Sequence, residues 1–314
     1  MTTDQPRRSE SPPRILVTGA PRSGTTWIGR TLCLGGDVGE VYEPFNPRSR
    51  QWRWFDAPEF YLYIDESLEA PYVEPVGAMA RWRYPLVRRL RAGDRRLALR
   101  SWSTARKHRR AGRGVLVKDP IALMSAPWLA HRFGFRPLVV IRHPAGFVSS
   151  LLRVGWRPRF GSWLRQPRLM DTLLAPWQEE IERAHRDDLE LVEAGAVFWR
   201  VCAGVVTGYR AEHPDWVIVR HEDIARDPVV AYRDLYQSFG LTWSDAVAET
   251  IRAESAADNP REVAGGVQHG LQRDSRSVAT IWQDRLTEQR VDTIRNIVGD
   301  VAGLFYDDRT WSAD

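Results

Sequence analysis

The chain has 314 residues, 43% of them hydrophobic, which is enough for a substantial core and close to the upper limit for one domain. Its formal charge of +5 points towards acidic partners (nucleotide, acidic glycan and nucleic acid all stay open) but carries no information about fold. Two cysteines, Cys33 and Cys202, both in apolar surroundings, exclude a disulfide framework, and no stretch reads as a signal peptide or a membrane span of about 20 apolar residues, so the expected compartment is cytoplasmic.

In chain order, residues 1–13 are a polar tail that reads as disordered, and 14–314 read as a single domain. A β-branched run from Ile15 to Thr18 opens it, and others follow at Val38 to Tyr42, Val115 to Lys118, Leu138 to Ile141 and Val217 to Val219. Helical patterns fill Asp171 to Glu193, Val197 to Glu212, Val229 to Phe239 and Thr287 to Val298. This alternation predicts an α/β fold with a central parallel β-sheet flanked by helices. Residues 48–114 lack a strong period and are rich in Trp and Arg, which suggests an insertion over one end of the sheet. Within it, the arginines from Arg81 to Arg113, with Trp82, Tyr84 and Trp102 interleaved, fit an amphipathic surface helix or a nucleic-acid contact. Residues 254–278, rich in Gly, Asn, Ser and Arg, read as a long loop, and long loops in compact domains are functional or disordered.

The first strand runs into Gly19-Ala20-Pro21-Arg22-Ser23-Gly24-Thr25-Thr26-Trp27 and then a helical stretch. Such a turn presents backbone N–H groups and a positive helix end to a phosphate. Its spacing is that of the Walker A loop, except that Thr25 stands where the lysine belongs, which argues against handling of a γ-phosphate. The strand Leu138 to Ile141 ends in Arg142, with Ser149 and Ser150 in the turns after it; a cation there suits a phosphate, whereas a Walker-type enzyme would hold Mg²⁺ with an Asp. No pair among His143, His221, His269 or the cysteines has zinc spacing, so no metal is expected.

Pro21-Arg22-Ser23-Gly24-Thr25-Thr26-Trp27 resembles the 5′-phosphosulfate loop of the sulfotransferases that use 3′-phosphoadenosine-5′-phosphosulfate (PAPS), and Arg142 with Ser150 is similar to their 3′-phosphate motif. The resemblance implies a P-loop-like fold with a C-terminal lid, and transfer of a sulfuryl group to an acceptor hydroxyl that leaves adenosine 3′,5′-bisphosphate (PAP). It implies that Arg22, Ser23, Gly24, Thr25 and Thr26, between Pro21 and Trp27, hold the 5′ end, and that Arg273, Ser275 and Arg276 form a basic lid. Val41-Tyr42-Glu43-Pro44-Phe45 resembles the Glu-Pro segment of carbohydrate-type and bacterial relatives, making Glu43 the first candidate for general base and Asp119 the second. Lys118 would stabilise the sulfuryl oxygens or point to solvent. His221 replaces the family's tyrosine in a Tyr-Glu-Asp-Leu stretch read as mainly structural, with Glu222 or Asp223 holding neighbouring loops. The acceptor pocket is expected in 48–114 and 154–176, where Trp52, Trp54, Phe55, Tyr61, Tyr63, Trp82, Trp156, Phe160 and Trp163 line a site or fill a core. The expected acceptor is an alcohol, a glycan or glycosylated small molecule ahead of a phenol or lipid alcohol, with no nucleic-acid partner; the chain would be a monomer or homodimer. A P-loop kinase with an atypical loop, and a non-catalytic nucleotide- or polyanion-binding protein, are the alternatives.

Overall fold

The computed structural model describes residues 11–49, 53–93, 95–261 and 272–311. The first ten residues, Trp52 and the 262–271 part of the expected lid, with His269, lie outside them. Five strands, β1 (Arg14–Gly19), β2 (Val38–Tyr42), β3 (Gly114–Lys118), β4 (Arg136–Ile141) and β5 (Val217–Arg220), form one parallel sheet in the order β2-β3-β1-β4-β5. Strands buried on both faces read as continuous apolar runs rather than alternating ones, which is why the central β1, β3 and β4 were legible; the edge strands β2 and β5 are less buried and declared themselves by their β-branched residues. Just before β1 the Pro13 carbonyl accepts from Val115 N at 2.9 Å, so the residue preceding the first strand is already held against β3.

Odd and even positions divide between two cores. Ile15, Val17, Leu116, Leu138 and Val140 pack with Ile28 and Leu32 of the helix Thr25–Leu32 and with Tyr232, Leu235, Tyr236 and Phe239 of the helix Pro228–Phe239. Leu16, Val115, Val117, Val139 and Ile141 face the larger core, which holds the helices Pro144–Val154, Leu191–Glu212 and Glu288–Ala302. Gly19 closes β1 at φ +140°, and a Cβ there would lie 2.1 Å from the Val140 carbonyl oxygen, so only glycine lets β1 and β4 approach at this point.

Several expectations are corrected. The helical pattern from Asp171 to Glu193 is broken: short helices end at Asp171 and Arg186, and a new one starts at Leu191. That last helix is, by length and composition, apolar enough to cross a bilayer, contrary to the expectation that no stretch would be; 67% of its apolar window is buried in the fold, as a central core helix requires. Residues 254–278 are not one loop, because the helix Asp245–Ser255 enters the segment and the helix Ser275–Thr280 leaves it. The arginine-rich run forms helices Leu86–Arg91 and Arg95–Arg110; the second buries Ala98, Ser101 and Ala105 and turns its cations outwards, as an amphipathic surface helix does.

The aromatic residues expected to line an acceptor pocket are largely core. Trp54, Phe55, Tyr61, Trp82, Phe160 and Trp163 are all at least 96% buried. Trp163 stacks on Phe198 at 4.8 Å, and Tyr61 meets both edge-on or tilted, which ties the two inserted segments to the helix Leu191–Glu212. Only Tyr63 and Trp156 of the described set remain half-buried.

Candidate functional site

Because all five strands run the same way, the residues that follow their C-terminal ends meet at one edge of the sheet. These are the loop Ala20–Gly24 after β1, Glu43 after β2, Asp119 after Lys118 of β3, Arg142 after β4 and His221 after β5. A cavity opens there, with Arg22, Gly24, Thr25, Thr26, Trp27 and Pro21 on one side. Tyr42, Glu43, Arg142, His221, Arg273 and Ser275 close the others.

The loop owes its shape to two left-handed residues, Arg22 at φ 72° and Gly24 at φ +93°, the second of which caps the helix Thr25–Leu32. Alternating handedness turns successive N–H groups into one concavity, an anion nest at a helix N-terminus. The turn at Arg22 sends its guanidinium to Ser150, with Nε donating to Oγ at 3.1 Å. Arg142 then braces the loop from below, donating through Nη1 to the Arg22 carbonyl at 3.1 Å and through Nη2 to the Val278 carbonyl at 3.2 Å. Burial first, and then the Arg153 charge, hold Arg22 below the usual arginine range; burial pushes Arg142 down to about 10. A buried and a half-buried cation next to each other are relieved by an anion.

Polar atoms left without partners mark where that anion fits. Arg142 Nε and both ring nitrogens of His221 are buried and unpaired, and both residues line the cavity. Charge-assisted donors of this kind, an arginine pair beside a ring of backbone N–H groups, suit phosphate-type anions.

Glu43 takes up the opposite wall at φ 46°. Its Oε1 receives Lys118 Nζ at 2.6 Å and its Oε2 receives Asn46 Nδ2 at 2.8 Å, while its side chain keeps 17% exposure. Lys118 does not point to solvent: it is fully buried, with its ammonium 3.6 Å from the Tyr42 ring centroid. Tyr42 reaches the Thr26 and Glu43 side chains, so phosphate loop and carboxylate are in contact through one phenol.

Other expected residues stand elsewhere. Asp119 is wholly buried and accepts from Phe45 N at 2.7 Å and Ile121 N at 2.9 Å; it holds two loops and does not line the cavity. Ser23 is buried beneath the loop, away from the cavity wall. Ser150 reaches the site only through Arg22, and Ser275 lines it but spends its hydroxyl on the Ala225 carbonyl. Arg276 faces away, bonded to the Arg226 carbonyl, because one residue along a helix turns the side chain by about 100°. Glu222 accepts from His143 N and the Tyr306 hydroxyl, and Asp223 pairs with Arg220, so both brace the edge from behind. Sequence reasoning missed His221, Tyr42 and Glu254 as cavity residues; for His221 the available signal was its place directly after a parallel strand. Among the described residues no cluster of three or more His, Cys, Asp or Glu is arranged to hold a metal ion.

The profile of the sulfotransferase family matches residues 13–245. Carbohydrate sulfotransferase 1 of Danio rerio is 25% identical over 186 residues, 58% of this chain but only 39% of that protein, so the match spans well under half of the curated relative's length. Among solved structures, the sulfotransferase domain from the curacin biosynthetic pathway aligns over 95% of this chain and 99% of its own, with 14% identity and a TM-score of 0.49. A mouse sulfotransferase complexed with PAP aligns over 96% of this chain and 88% of its own, with 11% identity and a TM-score of 0.46.

Proposed function

Because the chain belongs to the sulfotransferase family, we propose that its donor is PAPS and that it sulfates the hydroxyl of an alcohol acceptor, with Glu43 as the general base. The observation that carries this reading is the meeting, at one strand edge, of the buried Arg142 and the half-buried Arg22 with a carboxylate that remains partly exposed.

The donor would supply an activated sulfuryl group on a phosphate leaving group. The loop N–H groups, Thr25, Thr26 and Arg22 hold the 5′ end, where negative charge grows as the sulfur–oxygen bond breaks; fixed donors in a water-poor site are most effective against such charge. Arg142 holds the 3′-phosphate and fixes the arginine loop through the Arg22 carbonyl. Glu43 takes the acceptor proton as the acceptor oxygen bonds to sulfur. Lys118, bridging Glu43 and Tyr42, keeps that carboxylate aimed and sits where charge on the transferring group can be met.

Calorimetric titration with PAP, alongside ATP with Mg²⁺, tests the donor assignment. PAP is expected to bind selectively, and Arg142→Gln to weaken it by about a hundredfold, the scale of losing a desolvated charge-assisted pair. A preference for ATP, or unchanged PAP affinity in that variant, rejects the assignment.

A further inference from the structure

At the end of β5 stands a side chain whose hydrogen-bonding capacity the fold does not use. His221 is only 5% exposed, lines the cavity, and has neither ring nitrogen bonded among the described residues. A buried polar group without a partner costs stability, and one that borders a polar cavity finds its partner in a ligand. Three contacts fix where this imidazole stands. Ile141 of β4 is opposite Arg220 of β5, so Arg142 and His221 occupy equivalent places at the ends of neighbouring strands. A Cβ on Gly24 would lie 2.5 Å from His221 Nδ1, which sets that nitrogen against the helix end of the nest. On a further side the Trp27 ring meets the imidazole edge-on, with centroids 6.1 Å apart.

Since Arg142 is itself bonded to the Arg22 carbonyl, the nest, Arg142 and His221 are mutual neighbours. With one phosphate of a nucleoside 3′,5′-bisphosphate on the nest and the other on Arg142, a group that touches both elements faces what joins the two phosphates, which is the ribose. The charge state of the ring agrees. Burial first, and then the charges of Arg142 and Arg273, push His221 down to about 3, so the ring is neutral and offers one N–H donor and one bare nitrogen. Phosphate oxygens are already matched by guanidiniums and backbone N–H groups, which a neutral ring does not better. An uncharged hydroxyl, able to donate or to accept, is satisfied by either tautomer. In a 3′,5′-bisphosphate the 3′ and 5′ oxygens are esterified, and the 2′-hydroxyl is the one left free.

Resting on the donor reading above, we propose that His221 is a specificity residue of the donor site, holding the ribose 2′-hydroxyl and so selecting ribonucleotides over deoxyribonucleotides. Its role is in binding; the chemistry stays with Glu43 and Arg22.

The test is calorimetric titration of the unaltered protein and of His221→Phe with PAP and with 2′-deoxyadenosine 3′,5′-bisphosphate, which differ by one hydroxyl. In the unaltered protein the deoxynucleotide is expected to bind at least about tenfold more weakly, the scale of a lost hydrogen bond that leaves a buried group unpaired. In His221→Phe the preference should fall to near unity. The ratio of the two affinities is the readout, because a bulkier ring against Gly24 weakens both nucleotides alike. Equal affinity in the unaltered protein overturns the proposal, and that comparison stands even if the variant does not fold. A preference that survives in His221→Phe overturns it too, and assigns the hydroxyl to another group. Failure of the unaltered protein to bind either nucleotide instead removes the donor reading, and this proposal with it.

Discussion

At Gly24 the absence of a side chain shapes the site: the backbone is left-handed, and a Cβ there would lie 2.5 Å from His221 Nδ1. Gly24→Ala must therefore unwind the nest or push the imidazole aside, and PAP affinity is expected to drop at least about tenfold with little change in global stability; calorimetry set against thermal unfolding separates the two. Glu43 makes a different demand, because its carboxylate is both proton acceptor and partner of a buried ammonium. Glu43→Gln keeps the shape but removes basicity and charge, so turnover should fall by about a hundredfold or more while PAP affinity changes little; a variant that sulfates at the normal rate would show that another group takes the proton. Arg22, Glu43 and Arg142, each following a strand inside a recognisable motif, line the cavity. Ser23 and Arg276 do not, since what aims them is a left-handed φ at Arg22 and the phase of a short helix, and neither has a residue-type signature.

The sheet illustrates which elements a sequence declares. The central strands β1, β3 and β4 are packed on both faces and read as apolar runs, and the edge strands β2 and β5 are marked by their valines, whereas the break before Leu191 comes from tertiary packing that periodicity does not encode. The tryptophans pose the same difficulty: composition marks them as important, yet only the stacking of Trp163 on Phe198 shows that they build the core beneath the site rather than its lining. Between elements, Asp119 is the chief fastener. One oxygen caps the 3₁₀ turn Pro120–Ser125 and the other holds Phe45 N in the turn after β2 that carries Glu43. Asp119→Ala leaves two buried N–H groups without acceptors and is expected to cost about 2–4 kcal/mol in urea unfolding. Asp119→Asn, which keeps one carbonyl acceptor, should cost less. Equal stability of all three proteins would mean that the turns hold themselves.

For the molecule as a whole, buried titratable groups pull the pH dependence of stability in opposite directions. Burial first, and then the Arg142 charge, push His143 down to about 3, and burial does the same to His221, again to about 3. A histidine held neutral in the fold binds its proton only when unfolded, so its contribution is present above about 6.5 and is lost as pH falls towards 3. Asp119 acts with the other sign: burial and the neighbouring Glu43 push it up to about 7, so its contribution is present below about 4 and is lost as pH rises through 7. Asp119 opposes only part of the slope from the two histidines between about pH 4 and 6.5, so an acid titration of the unaltered protein does not isolate His143. A variant exposes the balance. His143 has no hydrogen-bond partner on either nitrogen and lies flat on Trp282, 5.0 Å away at 7°, with Tyr306 and Trp311 at its edges, so His143→Phe keeps the contacts and removes only the proton site. Relative to this variant the unaltered protein should lose about 1.4 kcal/mol per pH unit below 6.5, or about 2 kcal/mol by pH 5. Chemical unfolding of both proteins from pH 7 to 5 measures the difference. Parallel curves would mean that the folded imidazole takes up a proton after all, with the Glu222 carboxylate, which already accepts from the His143 backbone N–H, as the group able to hold it.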